Sequence, residues 1–362
     1  LYHRMIFTAC ALVAERYDAQ LTVVKDRGYG FFHGAIRSTL AKSFEDAISQ
    51  NRKVELLLDV YDEIKMNIIE DQKPINDFID CIVEISDSIN SSFWNGEDVM
   101  SIFFNEFNRY KKKSERGQVF TPDHITSFMY RLIEVDKNDR VLDAACGSGA
   151  FLIKSMCNMM QEAGGVNTKK ANEIKESQLF GIEFDREIFA LACANMISHK
   201  DGKTNIEHLD TRKATAMSWI QSKEITKVLM NPPFENKYGC IDIVSNVLDS
   251  VAKDVACAFI MPDKKLEKVI KAKKLLDRHT LLKIIKLPEN LFNEGVTTSI
   301  FVFKAKVPQN NKQIFSCFIE DDGLHTVKNQ GRHDIRNSWL EKEDYWIDVI
   351  SRQVGDETIR WL

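Results

Sequence analysis

From Thr121-Pro122 onward the chain keeps switching between two textures, and that alternation restricts its fold more than any other property of its 362 residues. Short apolar or β-branched runs (RVLDAAC, QLFGIEF, TNIEHLD, KVLMNPP, VACAFIMP, LLKIIKLP and TSIFVFKA) are separated by helical stretches such as Phe151 to Ala163, Arg186 to Ser198 and Asp242 to Lys253. Strands that alternate with helices predict a mostly parallel sheet covered on both faces. The last two runs are joined only by PENLFNEGVT. That connection is too short for a helical crossover, so this pair is expected to be antiparallel. The fold class is therefore α/β, with an open sheet of about seven strands.

Upstream the period is helical. Val54, Leu57, Leu58, Tyr61, Ile64 and Ile68 share one face, as do Ile75, Phe78, Ile79 and Ile82, and then Val99, Ile102, Phe103, Phe107 and Tyr110. An all-α region over residues 1–110 is expected, with Lys111-Lys112-Lys113 opening the link to a unit over 111–305. That basic run reads either as a solvated helix end or as a phosphate contact. The apolar run Met5 to Ala14 reads as a buried helix rather than a secretion signal, since Glu15-Arg16 follow at once. No apolar run approaches the ~20 residues of a membrane span. Eight scattered cysteines, with neither a Cys-x-x-Cys pair nor zinc spacing, favour reduced thiols in a cytoplasmic protein and no metal. With 49 basic against 53 acidic side chains the net charge is −4, so any nucleic acid must meet a local basic surface or a partner's surface.

RVLDAACGSGAF places Asp143 at a strand end, then Gly147 and Gly149, then a helix. Such glycines serve a tight turn and let backbone N–H groups approach a ligand beyond the carboxyl ends of the strands. A glycine pair alone is equally an ordinary turn. Neither Gly-x-Gly-x-x-Gly nor a complete Gly-x4-Gly-Lys-Ser/Thr is present, which disfavours a pyrophosphate. Glu183 in LFGIEFD and Asp210 in IEHLD end the next two strands. Each alone is an ordinary polar strand end. Side by side with the glycine loop they suit a nucleoside: Glu183 to accept from both ribose hydroxyls, Asp210 from an adenine amino group.

Taken in order, GQVFTP, DAACGSGAF, GIEFD and NPPF resemble the γ arrangement of amino-methyltransferases that use S-adenosylmethionine (SAM) and act on adenine in DNA. More closely, they are similar to the modification subunits of type I restriction–modification systems and related fused enzymes. The helical N-terminal region and LPENLFNEGVTTSIFVFKA fit the same family. The resemblance implies a Rossmann-like methyltransferase sheet and SAM as cofactor. Phe120, Thr121 and Pro122 would border the methionine part, and Asp143 with Gly147 and Gly149 would hold its amino-acid end. Glu183 would take the ribose, Phe184 would pack on the adenine and Asp210 would read its amino group. Three departures stand out: Ala144 where the family commonly has proline, a loose third acidic motif in His208-Leu209-Asp210, and the extra segment Gly164 to Ser177, expected to be a surface excursion.

On this likeness Asn231-Pro232-Pro233-Phe234 has a chemical purpose. The lone pair of an adenine N6 amine is delocalised into the ring. Two acceptors on its two hydrogens, the Asn231 side-chain carbonyl and the Pro232 backbone carbonyl, favour a pyramidal and nucleophilic nitrogen. The prolines fix φ and carry no competing N–H. Phe234 offers a stacking face for a base flipped out of double-stranded DNA. Cytosine C5 chemistry typically needs a cysteine after proline, and none of the seven prolines has one. Methylation of a protein glutamine amide or an RNA base, and a non-catalytic SAM-binding scaffold, remain as alternatives. TSIFVFKA is expected to complete the sheet near Lys304. The tail 306–362 is expected to pack on the core or a partner, being shorter than the roughly 100 residues a separate reading domain needs. Target recognition is then expected in a separate specificity subunit, with a restriction subunit as a possible further partner, or in sequence outside this chain.

Overall fold

A computed structural model describes residues 2–43, 52–64, 71–90, 121–199, 205–234, 239–266, 270–289, 291–292, 296–327 and 331–362. The apolar pattern over Val99 to Tyr110, the run Lys111 to Lys113, Ile68 and Phe120 lie outside these residues.

All seven expected strands form: β1 (Val141–Asp143), β2 (Leu179–Glu183), β3 (Ile206–His208), β4 (Lys227–Met230), β5 (Ala256–Pro262), β6 (Thr280–Lys286) and β7 (Thr298–Lys304). They lie in the order 3-2-1-4-5-7-6. β1 to β5 run parallel, and β7 is inserted between β5 and β6, antiparallel to both. The short connection therefore has the predicted consequence. The expected strand number was too low, because the sheet has nine strands. β8 (Phe315–Phe318) pairs parallel to β6, and β11 (Arg360–Trp361) pairs antiparallel to β8. TSIFVFKA thus does not close the sheet: a four-residue and a two-residue strand extend it, both too short to show a period. A separate hairpin joins β9 (His325–Val327) to β10 (Gly331–His333).

The helix Arg186–Ser198 shows how the N-terminal region meets the sheet. It is apolar nearly all round because both sides are buried. Phe189, Ala192, Cys193 and Met196 belong to the sheet-side core, whereas Ala190, Leu191, Ala194 and Ile197 join the core of the N-terminal helices. The expected buried helix, Tyr2–Arg16, is the centre of that second core, with Met5, Ile6 and Ala9 through Ala14 fully covered. Arg52–Asp62 and Lys73–Asn90 contribute Leu57, Tyr61, Ile75, Ile79 and Ile82 to it. Polar clamps fix both ends of Arg186–Ser198. The Arg186 guanidinium binds Glu63 at 2.9 and 3.0 Å, and Arg16 Nε donates to the Ser198 carbonyl.

The segment Gly164 to Ser177 is not a mere surface excursion. It contains a helix, Lys169–Ser177, capped by Thr168, whose hydroxyl accepts from the Ala171 N–H at 3.0 Å. Only Ala171 and Ile174 are buried on it, too few to mark a helix in so polar a stretch. In the tail, the helix Trp339–Arg352 places Trp339, Trp346, Val349 and Ile350 in the same core as Ile285 and Leu287. Among the described residues no helix is long and apolar enough to cross a membrane.

Candidate active site

The candidate residues gather at the carboxyl ends of four neighbouring strands, β4-β1-β2-β3, where open α/β sheets bind ligands. Asp143 is the last residue of β1 and is buried; its Oδ1 accepts from the Ala145 N–H at 3.1 Å. Burial, reinforced by nearby Glu183, pushes its pKa well up. The chain then turns through Gly147 (φ +55°) and Gly149 (φ +94°), which caps the helix Ala150–Glu162. Among the described residues nothing stands within 4 Å of where a Gly147 Cβ would be, so the turn is open on that side.

Glu183, the last residue of β2, is held by three backbone N–H groups. Oε1 accepts from Phe184 and Asp185, each at 2.9 Å, and Oε2 from Gly147 at 3.0 Å. Burial outweighs these bonds and raises its pKa to about 7. A carboxylate has about four acceptor positions, so one remains on Oε2. That position is open to a ribose hydroxyl. Phe184 is exposed. Asp210 lies two residues past β3, and its carboxylate is paired with Arg212 through both oxygens, at 2.7 and 2.9 Å. That bonding holds its pKa below the usual range.

At the end of β4 stands Asn231. Its side-chain N–H donates to Thr121 Oγ1 at 3.0 Å, while its Oδ1 is buried and has no hydrogen-bond partner among the described residues. A buried acceptor without a donor is costly, about 1–3 kcal/mol, and rare enough to require an explanation. Pro232 is buried beside it. The Phe234 ring packs edge-to-face on Phe292, centroids 5.5 Å apart and planes at 80°. Thr121, expected at the methionine end of the cofactor, also orients the Asn231 amide through its hydroxyl. Pro122 opens the helix Asp123–Leu132. The motifs did not reveal three supports. Thr211 Oγ1 donates to the Ala144 carbonyl at 2.6 Å, Asn195 Nδ2 donates to the Ser148 carbonyl at 2.8 Å, and Arg212 lies over Phe184. Single polar residues inside a helix or loop carry no such signal; only the closed fold brings them to the site.

An open sheet in the order 3-2-1-4-5-7-6, with acids ending β1 and β2 and an amide corner after β4, places the chain among Rossmann-like methyltransferase folds. Comparison with known proteins narrows the class. Residues 97–262 match the family model described as N-6 DNA methylase. Over 308 residues the chain is 33% identical to the type II restriction enzyme and methyltransferase RM.BcgI of Heyndrickxia coagulans, covering 77% of this chain and 47% of that protein. It is 26% identical over 239 residues to the type I restriction enzyme EcoEI methylase subunit of Escherichia coli, covering 60% and 47% respectively. In fold it resembles the type I restriction-modification system methyltransferase subunit from Streptococcus thermophilus, with a TM-score of 0.61, 16% identity, and 99% and 88% of the two chains covered. The resemblance read from the motifs is thus borne out. The chain spans about half the length of the two curated relatives described here.

Proposed function

We propose that this chain is the catalytic part of a cytoplasmic, SAM-dependent DNA adenine-N6 methyltransferase of restriction–modification type. The observation that carries this reading is the buried, donor-less Asn231 Oδ1, oriented by Thr121 at the end of β4. An acceptor held ready in this way suits an incoming amine N–H. It is preorganised, so no reorganisation is needed when the nitrogen begins to gain positive charge. The Pro232 carbonyl is the second acceptor, and Phe234, backed by Phe292, is the stacking face for a flipped base.

The neighbouring cradle fits the cofactor on its own chemistry. The open space above Gly147, the carboxyl of Asp143 at the turn and the last acceptor position of Glu183 suit an amino-acid end and a ribose. Phe184 and Asp210 would take the adenine, and Thr121 and Pro122, with Phe120 before them, would border the methionine. When bound, SAM supplies an electrophilic methyl on sulfonium. The protein's own part is to orient the amine against it and to exclude water, which can supply much of the rate enhancement. The names of the relatives support a DNA substrate and assembly with other restriction–modification subunits; we assign target recognition to a separate specificity subunit, with a restriction subunit as a further partner.

Replacing Asn231 with Ala tests the carrying observation. Turnover should fall by about 10²–10³ while SAM affinity stays within about twofold, like loss of one preorganised polar contact. Parallel losses of turnover and binding would show that the acceptor belongs to the cofactor site.

A further inference from the structure

Phe184 and Asp210, both read above as adenine contacts, share a neighbour that no motif names. The Arg212 guanidinium pairs with Asp210 through Nε to Oδ1 at 2.7 Å and Nη2 to Oδ2 at 2.9 Å; the Arg212 backbone N–H adds a bond to Oδ1 at 3.0 Å. Its central carbon lies 5.1 Å from the centre of the Phe184 ring, within cation–π range. The stem passes beside Gly239: its Cδ lies 3.5 Å from where a Cβ on that glycine would stand, and Asp242 adds negative charge nearby. Gly239 caps the helix Cys240–Ser250, the first element after the Asn-Pro-Pro-Phe corner. One side chain therefore touches both the acid and the ring, and passes close to the return from the catalytic corner.

The acceptor count gives this contact a purpose. Of about four positions on the Asp210 carboxylate, Arg212 fills both on Oδ1 and one on Oδ2. A single position on Oδ2 remains, enough for one N–H. A two-bond guanidinium fork also fixes the carboxylate plane, which a lone ammonium cannot do.

We propose that Arg212 is the positioning residue of the nucleoside subsite: it locks Asp210 so that one Oδ2 position meets the adenine amino group, with the Phe184 ring helping to hold the guanidinium in place. This rests on the reading of Asp210 and Phe184 as adenine contacts. Most of Arg212's influence then reaches the ligand through one amino group, so a ligand lacking that group should hardly respond to its loss.

Calorimetric binding of S-adenosylhomocysteine and of S-inosylhomocysteine, in which a carbonyl replaces the amine, separates these effects. Arg212→Gln should weaken the adenosyl compound about tenfold, the scale of one charge-assisted hydrogen bond, and the inosyl compound by less than about twofold. Arg212→Lys should recover part of the loss. Equal weakening of both ligands would make Arg212 a structural residue only, and unchanged or tighter adenosyl binding would also overturn the proposal. Asp210→Ala separately tests the site reading. It should abolish the wild-type preference for the adenosyl ligand; a preference that survives would remove Asp210 from the subsite, and Arg212's proposed role with it.

Discussion

Two buried polar groups in the site have opposite problems. Asn231 Oδ1 has too few partners, and Glu183 has three donors yet remains hard to ionise. The first is the chemistry proposed for the amine. The second gives a pH dependence whose sign can be worked out. Glu183 titrates near 7 instead of the ordinary 4.5, chiefly because it is buried. Between those values the folded chain keeps a proton that the unfolded chain has released, so this group makes stability fall as pH rises. A ribose hydroxyl donates to the anion, so affinity should move the other way. S-adenosylhomocysteine should bind about tenfold more weakly at pH 6 than on a plateau above about pH 8. Glu183→Gln should be weak and flat across that range, as read by calorimetry at constant ionic strength. A pH-independent wild type would mean that the ligand does not use this carboxylate.

At the scale of elements, the helix Arg186–Ser198 matters most, because it begins two residues after Phe184 and separates the two hydrophobic cores. Its outer face is covered by the core built around Tyr2–Arg16, so a defect in that first helix should be felt by the whole fold. Leu12 is fully buried there. Leu12→Ala should cost about 2–5 kcal/mol in urea unfolding, the range for buried large-to-small changes. A loss below about 1 kcal/mol would show that the N-terminal helices are only loosely attached. Most of these elements could be read from the chain. Most of the seven strands announced themselves because strands buried on both faces, such as β1, β2, β5 and β7, are nearly continuous apolar runs. Tyr2–Arg16 was legible for the same reason. Lys169–Ser177 was not, since two buried residues set no period, and β11 has only two residues. In the site, Asp143, Glu183 and Asn231 could be found because strand ends and glycines mark them. Arg212 and the Thr121–Asn231 bond could not. They depend on which loops the sheet order brings together, and nothing local to Arg212 or Thr121 encodes that.

For the whole molecule, the tail is part of the sheet rather than an appendage. β8 and β11 continue it, and Asp322, fully buried, accepts from His124 at 3.2 Å, joining the tail to the helix that follows Thr121-Pro122. The site is therefore braced from both ends of the chain, by the N-terminal helices behind Arg186–Ser198 and by the tail behind Asp123–Leu132. A net charge of −4 gives the molecule no general attraction for DNA, which agrees with assigning target recognition to a partner. The most direct measurement is methyl transfer from labelled SAM to unmethylated genomic DNA, with the chain alone and with any co-purifying partner, and the product nucleosides identified by mass spectrometry. N6-methyladenine is the expected modified base, formed only with a specificity partner and lost with Asn231→Ala. A SAM-binding protein that methylates no base, or that places the methyl on any group other than the adenine amine, would contradict this reading.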